Sequence, residues 1–164
     1  MPVLTTQEMR LHFPQRGRIL AVDVGTKRLG LALSDTAQTL ATPRPYLPRT
    51  QWTQDFNLFK QLIEKEQVTA IVIGNPLTMK GDNSASTDAA HSYADLLAKG
   101  FPALQVALWD ERLSSAAAER ALFERRVEGS RQTRASKKSA TAFVDSTAAT
   151  LFLQAALDYL RGRK

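Results

Sequence analysis

The chain has 164 residues, 43% of them hydrophobic and 23% charged, a size and balance suited to one folded domain with its own core. It contains no cysteine, which excludes disulfides, cysteine-ligated metals and a cysteine nucleophile. The net charge of +6, with a pI of about 9.9, favours a polyanionic partner such as nucleic acid.

No apolar run approaches the roughly 20 residues that a membrane span needs. Residues 1–17 carry Glu8, Arg10, His12 and two prolines and lack the apolar centre of a signal peptide. They read as a flexible N-terminal extension of a cytoplasmic protein, with the domain proper over residues 18–162.

In chain order, residues 18–24 (RILAVDV) form an almost unbroken apolar run, the pattern of a central strand covered on both faces. Residues 29–34 (LGLALS) form a second run, and the turn chemistry of residues 25–28 between them predicts a hairpin. A third strand at about 39–47 is confined to a sheet edge by Pro43, Pro45 and Pro48. Residues 52–66 place Phe56, Phe59, Leu62 and Ile63 at helical spacing. The β-branched run 68–73 is a strand that ends at Gly74, Asn75 and Pro76. Residues 84–99 read as a helix, with Ser84 or Ser86 as its N-cap and Gly100 as its stop. Residues 104–108 are a further strand running into Trp109, Asp110, Glu111 and Arg112. Ser114 or Ser115 caps a helix to about Val127, residues 128–140 form a mobile basic loop, and residues 141–161 form a long amphipathic helix. Strands followed by strand–helix alternation predict an α/β fold: a mixed five-stranded sheet flanked by helices, in a single domain.

The acids within this framework need explanation. Asp23 lies between Val22 and Val24 in the first strand, where a carboxylate is costly unless hydrogen-bonded, paired or bound to a cation. Asp110 and Glu111 follow the last strand; side chains alternate in direction, so only one of them faces a common site, and the sequence does not say which. Asp145 opens the last helix on a stripe with Ala148, Ala149, Phe152 and Ala156, which suits close packing on the sheet. Brought together, such acids make a hard-oxygen site for Mg²⁺ or Mn²⁺. Two such ions about 4 Å apart would support phosphodiester hydrolysis. The cations come with a basic counterpart: Arg125, Arg126, Arg131, Arg134, Lys137 and Lys138 stand against the single acid Glu128 in one short stretch. A strand of nucleic acid would follow it through backbone contacts, with shape rather than sequence choosing the substrate.

Four blocks, in order, resemble the YqgF (RuvX-like) family, nucleases related to Holliday-junction resolvases. They are residues 23–35 (DVGTKRLGLALSD), 73–81 (IGNPLTMKG), 110–115 (DERLSS), and Lys137 and Lys138 followed by 144–149 (VDSTAA). The resemblance covers about residues 18–160. It departs at Asn75, where the family usually has an apolar residue, at Lys80, which reads as a solvated loop charge, and at Ser114 and Ser115, which replace threonines. It implies a ribonuclease-H-like fold, a divalent metal, and either maturation of the 5′ end of 16S ribosomal RNA or resolution of branched DNA. The family's acidic positions map onto Asp23, the Asp110–Glu111 pair and Asp145.

The resulting expectation is a metal-dependent nuclease acting on structured RNA, as in a ribosome precursor, or on branched DNA, as a monomer or homodimer. Catalysis falls to Asp23, Asp110, Glu111 and Asp145. Asp23 bridges two Mg²⁺ or Mn²⁺ ions, and Glu111 and Asp145 complete their shells. Lys27 and Arg28 in the turn after Asp23, with Arg131, Arg134, Lys137 and Lys138, contact phosphate. Arg112 either orients a phosphate or pairs with Asp110. A junction resolvase would need paired sites in a symmetric dimer. A non-catalytic RNA-binding factor for ribosome assembly would use the basic surface without the acids.

Overall fold

The computed structural model describes residues 3–76, 85–113 and 134–162, with the side chains of 85–86 and 134–147 excepted. The elements are α1 (Thr6–His12), β1 (Arg18–Val24), β2 (Arg28–Ser34), β3 (Ala41–Pro48), α2 (Trp52–Glu66), β4 (Val68–Asn75), α3 (Ala85–Gly100), β5 (Gln105–Asp110), a 3₁₀ turn (Glu111–Leu113) and α4 (Arg134–Arg161). Five strands make one sheet in the order β3-β2-β1-β4-β5. β1, β4 and β5 run parallel, and β2 and β3 are antiparallel to their neighbours, so the sheet is mixed as expected.

Both faces of the sheet are covered, which is why β1 reads as a continuous apolar run. Ile19, Ala21, Val72, Ala107 and Trp109 pack against Phe152, Leu153, Ala156 and Leu157 of α4. Leu20, Val22, Ile71 and Ile73 point the other way, against Phe59 of α2 and Tyr93, Ala94 and Leu97 of α3. Alternation along each central strand therefore feeds two separate cores. β3 is an outer strand, where its three prolines cost no ladder bonds on the open side. Among the described residues no helix is long and apolar enough to cross a membrane.

Two segments differ from the sequence expectation. Residues 4–13 are not a loose extension. Leu4 donates its N–H to Val106 and accepts from the Leu108 N–H, both at 2.9 Å, adding a short parallel bridge to the outer side of β5. Thr5 then caps α1 by accepting from the Glu8 N–H, and Met9 and Phe13 are buried in the α4-side core. Arg10 lies over the Tyr159 ring, 4.7 Å from its centroid. The physical reason is an edge: without this segment β5 would present an unpaired row of main-chain groups. The last helix also begins earlier than residue 141. Its backbone is helical from Arg134, which removes residues 134–140 from the expected basic loop. The expected helix at 114–127 and the remainder of that loop lie outside the described residues.

The buried N-terminal anchor yields a stability prediction. Met9 is wholly buried, so Met9→Ala should lower unfolding free energy by about 2–5 kcal/mol. Urea denaturation measures this, and a change within a few tenths of a kcal/mol would mean that α1 is detached from the folding unit.

Candidate metal and nucleic-acid site

The three parallel strands end together. Gly74 of β4 is abreast of Trp109 of β5, and Val22 of β1 is abreast of Ile73. The next residue along β1 is Asp23, so Asp23, Gly74 and Trp109 form one row, with neighbouring strands about 4.8 Å apart. Asp23 follows Ala21 by two residues and shares its face, the one covered by α4. It is 8% exposed, set into the sheet rather than at a free strand tip.

Glu111 reaches the same place from beyond the end of β5. A 3₁₀ turn starts at Glu111, and the residue is 5% exposed. A Cβ built on Gly74 would stand 3.2 Å from the Glu111 carboxyl carbon and 2.9 Å from Cε2 of Phe152. The Glu111 carboxyl thus occupies the space a side chain at 74 would take, one strand across from Asp23. Asp110 does something else. Its carboxylate is held by Arg112 through Nε at 3.0 and 3.2 Å and Nη2 at 2.7 Å. The Arg112 guanidinium keeps the Asp110 carboxyl below its ordinary pKa. Of the two alternatives for Arg112, the structure displays the pairing with Asp110.

Asp145 lies in the α4 backbone two turns before Phe152, the residue packed over Gly74. Its side chain is outside the described residues. No group of three or more acids and histidines suited to a metal occurs among the described residues. The residues that are described fit a divalent cation nonetheless. Two buried carboxylates near one another repel, and a hard cation between them relieves that repulsion with the oxygen ligands it prefers.

The turn beside Asp23 carries the first cationic candidates. Lys27 is exposed at its tip. Arg28 is half-buried, with its guanidinium 5.4 Å from the centroid of the Tyr46 ring. Gly25 is required here because a Cβ would come within 2.7 Å of the Arg28 carbonyl oxygen. The side chains of Arg134, Lys137 and Lys138, and all of Arg131, lie outside the described residues.

Two contributors escaped the sequence reading. Arg49 donates from Nη1 to the Gly25 carbonyl and from its backbone N–H to the Lys27 carbonyl, both at 2.9 Å, and so fixes the turn. Thr6 Oγ1 donates to the Leu108 carbonyl at 2.8 Å and accepts from the Asp110 N–H at 3.1 Å. Its hydroxyl continues the main-chain pairing to the last residue before Glu111. Neither has a local sequence signal, because each partner is distant in the chain.

Gly74→Ala tests the close approach. The added methyl forces Phe152 or Glu111 aside, with an expected cost of about 1–3 kcal/mol. Mn²⁺ affinity, read by calorimetry, should fall with it. Unchanged stability and affinity would mean that nothing depends on the space over Gly74.

Comparison with known proteins places the chain among relatives that it matches over nearly its whole length. A protein of Agrobacterium fabrum is 41% identical over 160 residues, covering 98% of this chain and 95% of that one. One of Paramagnetospirillum magneticum is 37% identical over 162 residues, covering 99% of each. Both carry names that propose a pre-16S rRNA nuclease. Among solved structures, T. thermophilus RuvC in complex with Holliday junction substrate superposes with a TM-score of 0.52 over 90% of this chain and 97% of that one. At 14% identity this likeness shows the fold, which is ribonuclease-H-like. The profile of the RuvX family, described as a Holliday junction resolvase, matches residues 17–159, and the chain belongs to that family.

Proposed function

We propose that this protein is a divalent-metal-dependent nuclease of the cytoplasm that hydrolyses phosphodiester bonds in structured RNA, trimming the 5′ end of the 16S rRNA precursor. The names of its full-length relatives support the substrate. The observation that carries the chemistry is the buried Glu111 carboxyl over Gly74, one strand from the buried Asp23. Asp23 and Glu111 hold the cation, and Asp145, on the helix that packs over them, completes its ligands. Bound there, Mg²⁺ or Mn²⁺ supplies Lewis acidity to the attacking water and to the phosphate oxygens.

The chain's own residues do the rest. α4 and the sheet keep bulk water from the inner side of the carboxylates, which strengthens their hold on a cation. Lys27 and Arg28 neutralise phosphate beside the cut, and the cations of residues 125–138 follow the flanking backbone. Asp110 orients Arg112 rather than a metal. A second reading, cleavage of branched DNA, is favoured by the description of the matching family.

The test is cleavage of labelled precursor 16S RNA and, separately, of a four-way DNA junction, each with Mn²⁺, Mg²⁺ or EDTA. Asp23→Asn and Glu111→Gln should each lower turnover by roughly 10²-fold or more, the scale of losing an electrostatic group at a reacting centre. Asp110→Asn should stay within about tenfold, because it disturbs only an exposed ion pair. Cutting of the junction alone would move the substrate to DNA. Tight RNA binding without cutting under any condition would replace the nuclease by an assembly factor.

A further inference from the structure

A cavity of about 720 Å³ opens beside the same strand ends, between α3, the end of β5, the N-terminal segment and Tyr159 of α4. Asn75 and Asp110 are abreast in the β4–β5 register and both line it. Leu108 and Leu113 give it apolar walls, and Leu113 is 57% exposed, an open apolar surface beside the site. His91 and Asp95 line it from α3.

Asn75 is the unusual member. It is only 9% exposed, and its Oδ1 is buried without a hydrogen-bond partner among the described residues. Buried polar atoms are nearly always satisfied, so an orphaned amide oxygen at a cavity wall asks for a donor.

The remaining polar groups define what fits. The Asp95 carboxylate and Asn75 Oδ1 are acceptors, the Asp110 carboxylate is taken up by Arg112, and Gln7 and His91 add groups that can both donate and accept. Between apolar walls, the Asp95 and Asn75 acceptors suit a flat, uncharged ring that carries N–H donors at its edge. Unpaired bases are read in this way, by apolar contact on their faces and by amide or carboxylate acceptors at amino groups. The cavity also has the right address, since Asp110 immediately precedes Glu111.

We propose that this cavity is a subsite for an unpaired nucleobase bearing an exocyclic amino group, lying next to the phosphate at Asp23 and Glu111. It rests on the nuclease reading for the strand that delivers the base. A cut strand then runs past the sheet end, with phosphate at Asp23 and Glu111 and a neighbouring base turned into the cavity.

The test titrates the full chain in EDTA with AMP, CMP, GMP, UMP, ribose 5-phosphate and spermidine, following the Leu108 and Leu113 methyls and the Asn75 side-chain amide by NMR. AMP, CMP and GMP should move all three, UMP about tenfold more weakly, and ribose 5-phosphate not at all. Asn75→Leu should weaken the response about tenfold at unchanged Tm, and Asp95→Asn should narrow the preference for CMP over UMP. Equal response to ribose 5-phosphate, silence to every nucleotide, or response to spermidine alone overturns the subsite. The titration needs neither metal nor cleavage. A silent cavity in an active nuclease therefore removes the subsite alone, and a responsive cavity in an inactive protein leaves it standing.

Discussion

Position 74 is where the sheet, the last helix and the turn after β5 compete for the same volume. The Phe152 ring and the Glu111 carboxyl both enter the space a Cβ would fill. Glycine settles that competition by vacating it, a use of the residue at a close approach rather than at a turn. α4 can then lie low on the sheet, helped by the buried Ala148, Ala149 and Ala156. With the helix that close, the ends of the parallel strands become a walled recess rather than an open edge.

The topology decides which charges enter that recess. β1, β4 and β5 are neighbours and run the same way, so their C-terminal ends lie together and the residues there meet. Asp23 arrives on its strand by alternation with Ala21. Glu111 arrives at the head of the 3₁₀ turn, with its carboxyl over Gly74, while its neighbour Asp110 stays in the strand and is held by Arg112. Two adjacent acids thus acquire different environments: Glu111 is buried beside Phe152 and Gly74, and Asp110 is half-buried and paired with Arg112. The N-terminal segment braces the outer side of this arrangement with hydrogen bonds. Leu4 extends the pairing of β5 on its outer side, and the Thr6 hydroxyl continues it to Asp110.

Much of this was legible in the chain itself, for reasons that can be named. β1 declared itself because both of its faces are covered, so no polar alternation interrupts it. β3 declared itself as an edge through Pro43, Pro45 and Pro48. α2 matches its predicted span because its helical spacing begins and ends within the apolar pattern. The N-terminal anchor did not show, since Leu4, Met9 and Phe13 are scattered among polar residues and their partner strand is about a hundred positions away. The choice between Asp110 and Glu111 could not be read from alternation, because alternation stops where the 3₁₀ turn begins. Gly74 looked like a strand terminator, yet β4 continues through Asn75, and its close approach depends on Phe152 far along the chain.

The central claim is that Asp23 and Glu111 jointly hold a divalent cation at the ends of the parallel strands. Anomalous diffraction from crystals of the protein soaked in Mn²⁺ tests it most directly. The account predicts a peak within about 2.0–2.6 Å of carboxylate oxygens from both residues, the range of hard-cation coordination. A peak bound by Asp110 without Glu111, or none at the Asp23 strand end in crystals that hold Mn²⁺ elsewhere, would contradict it.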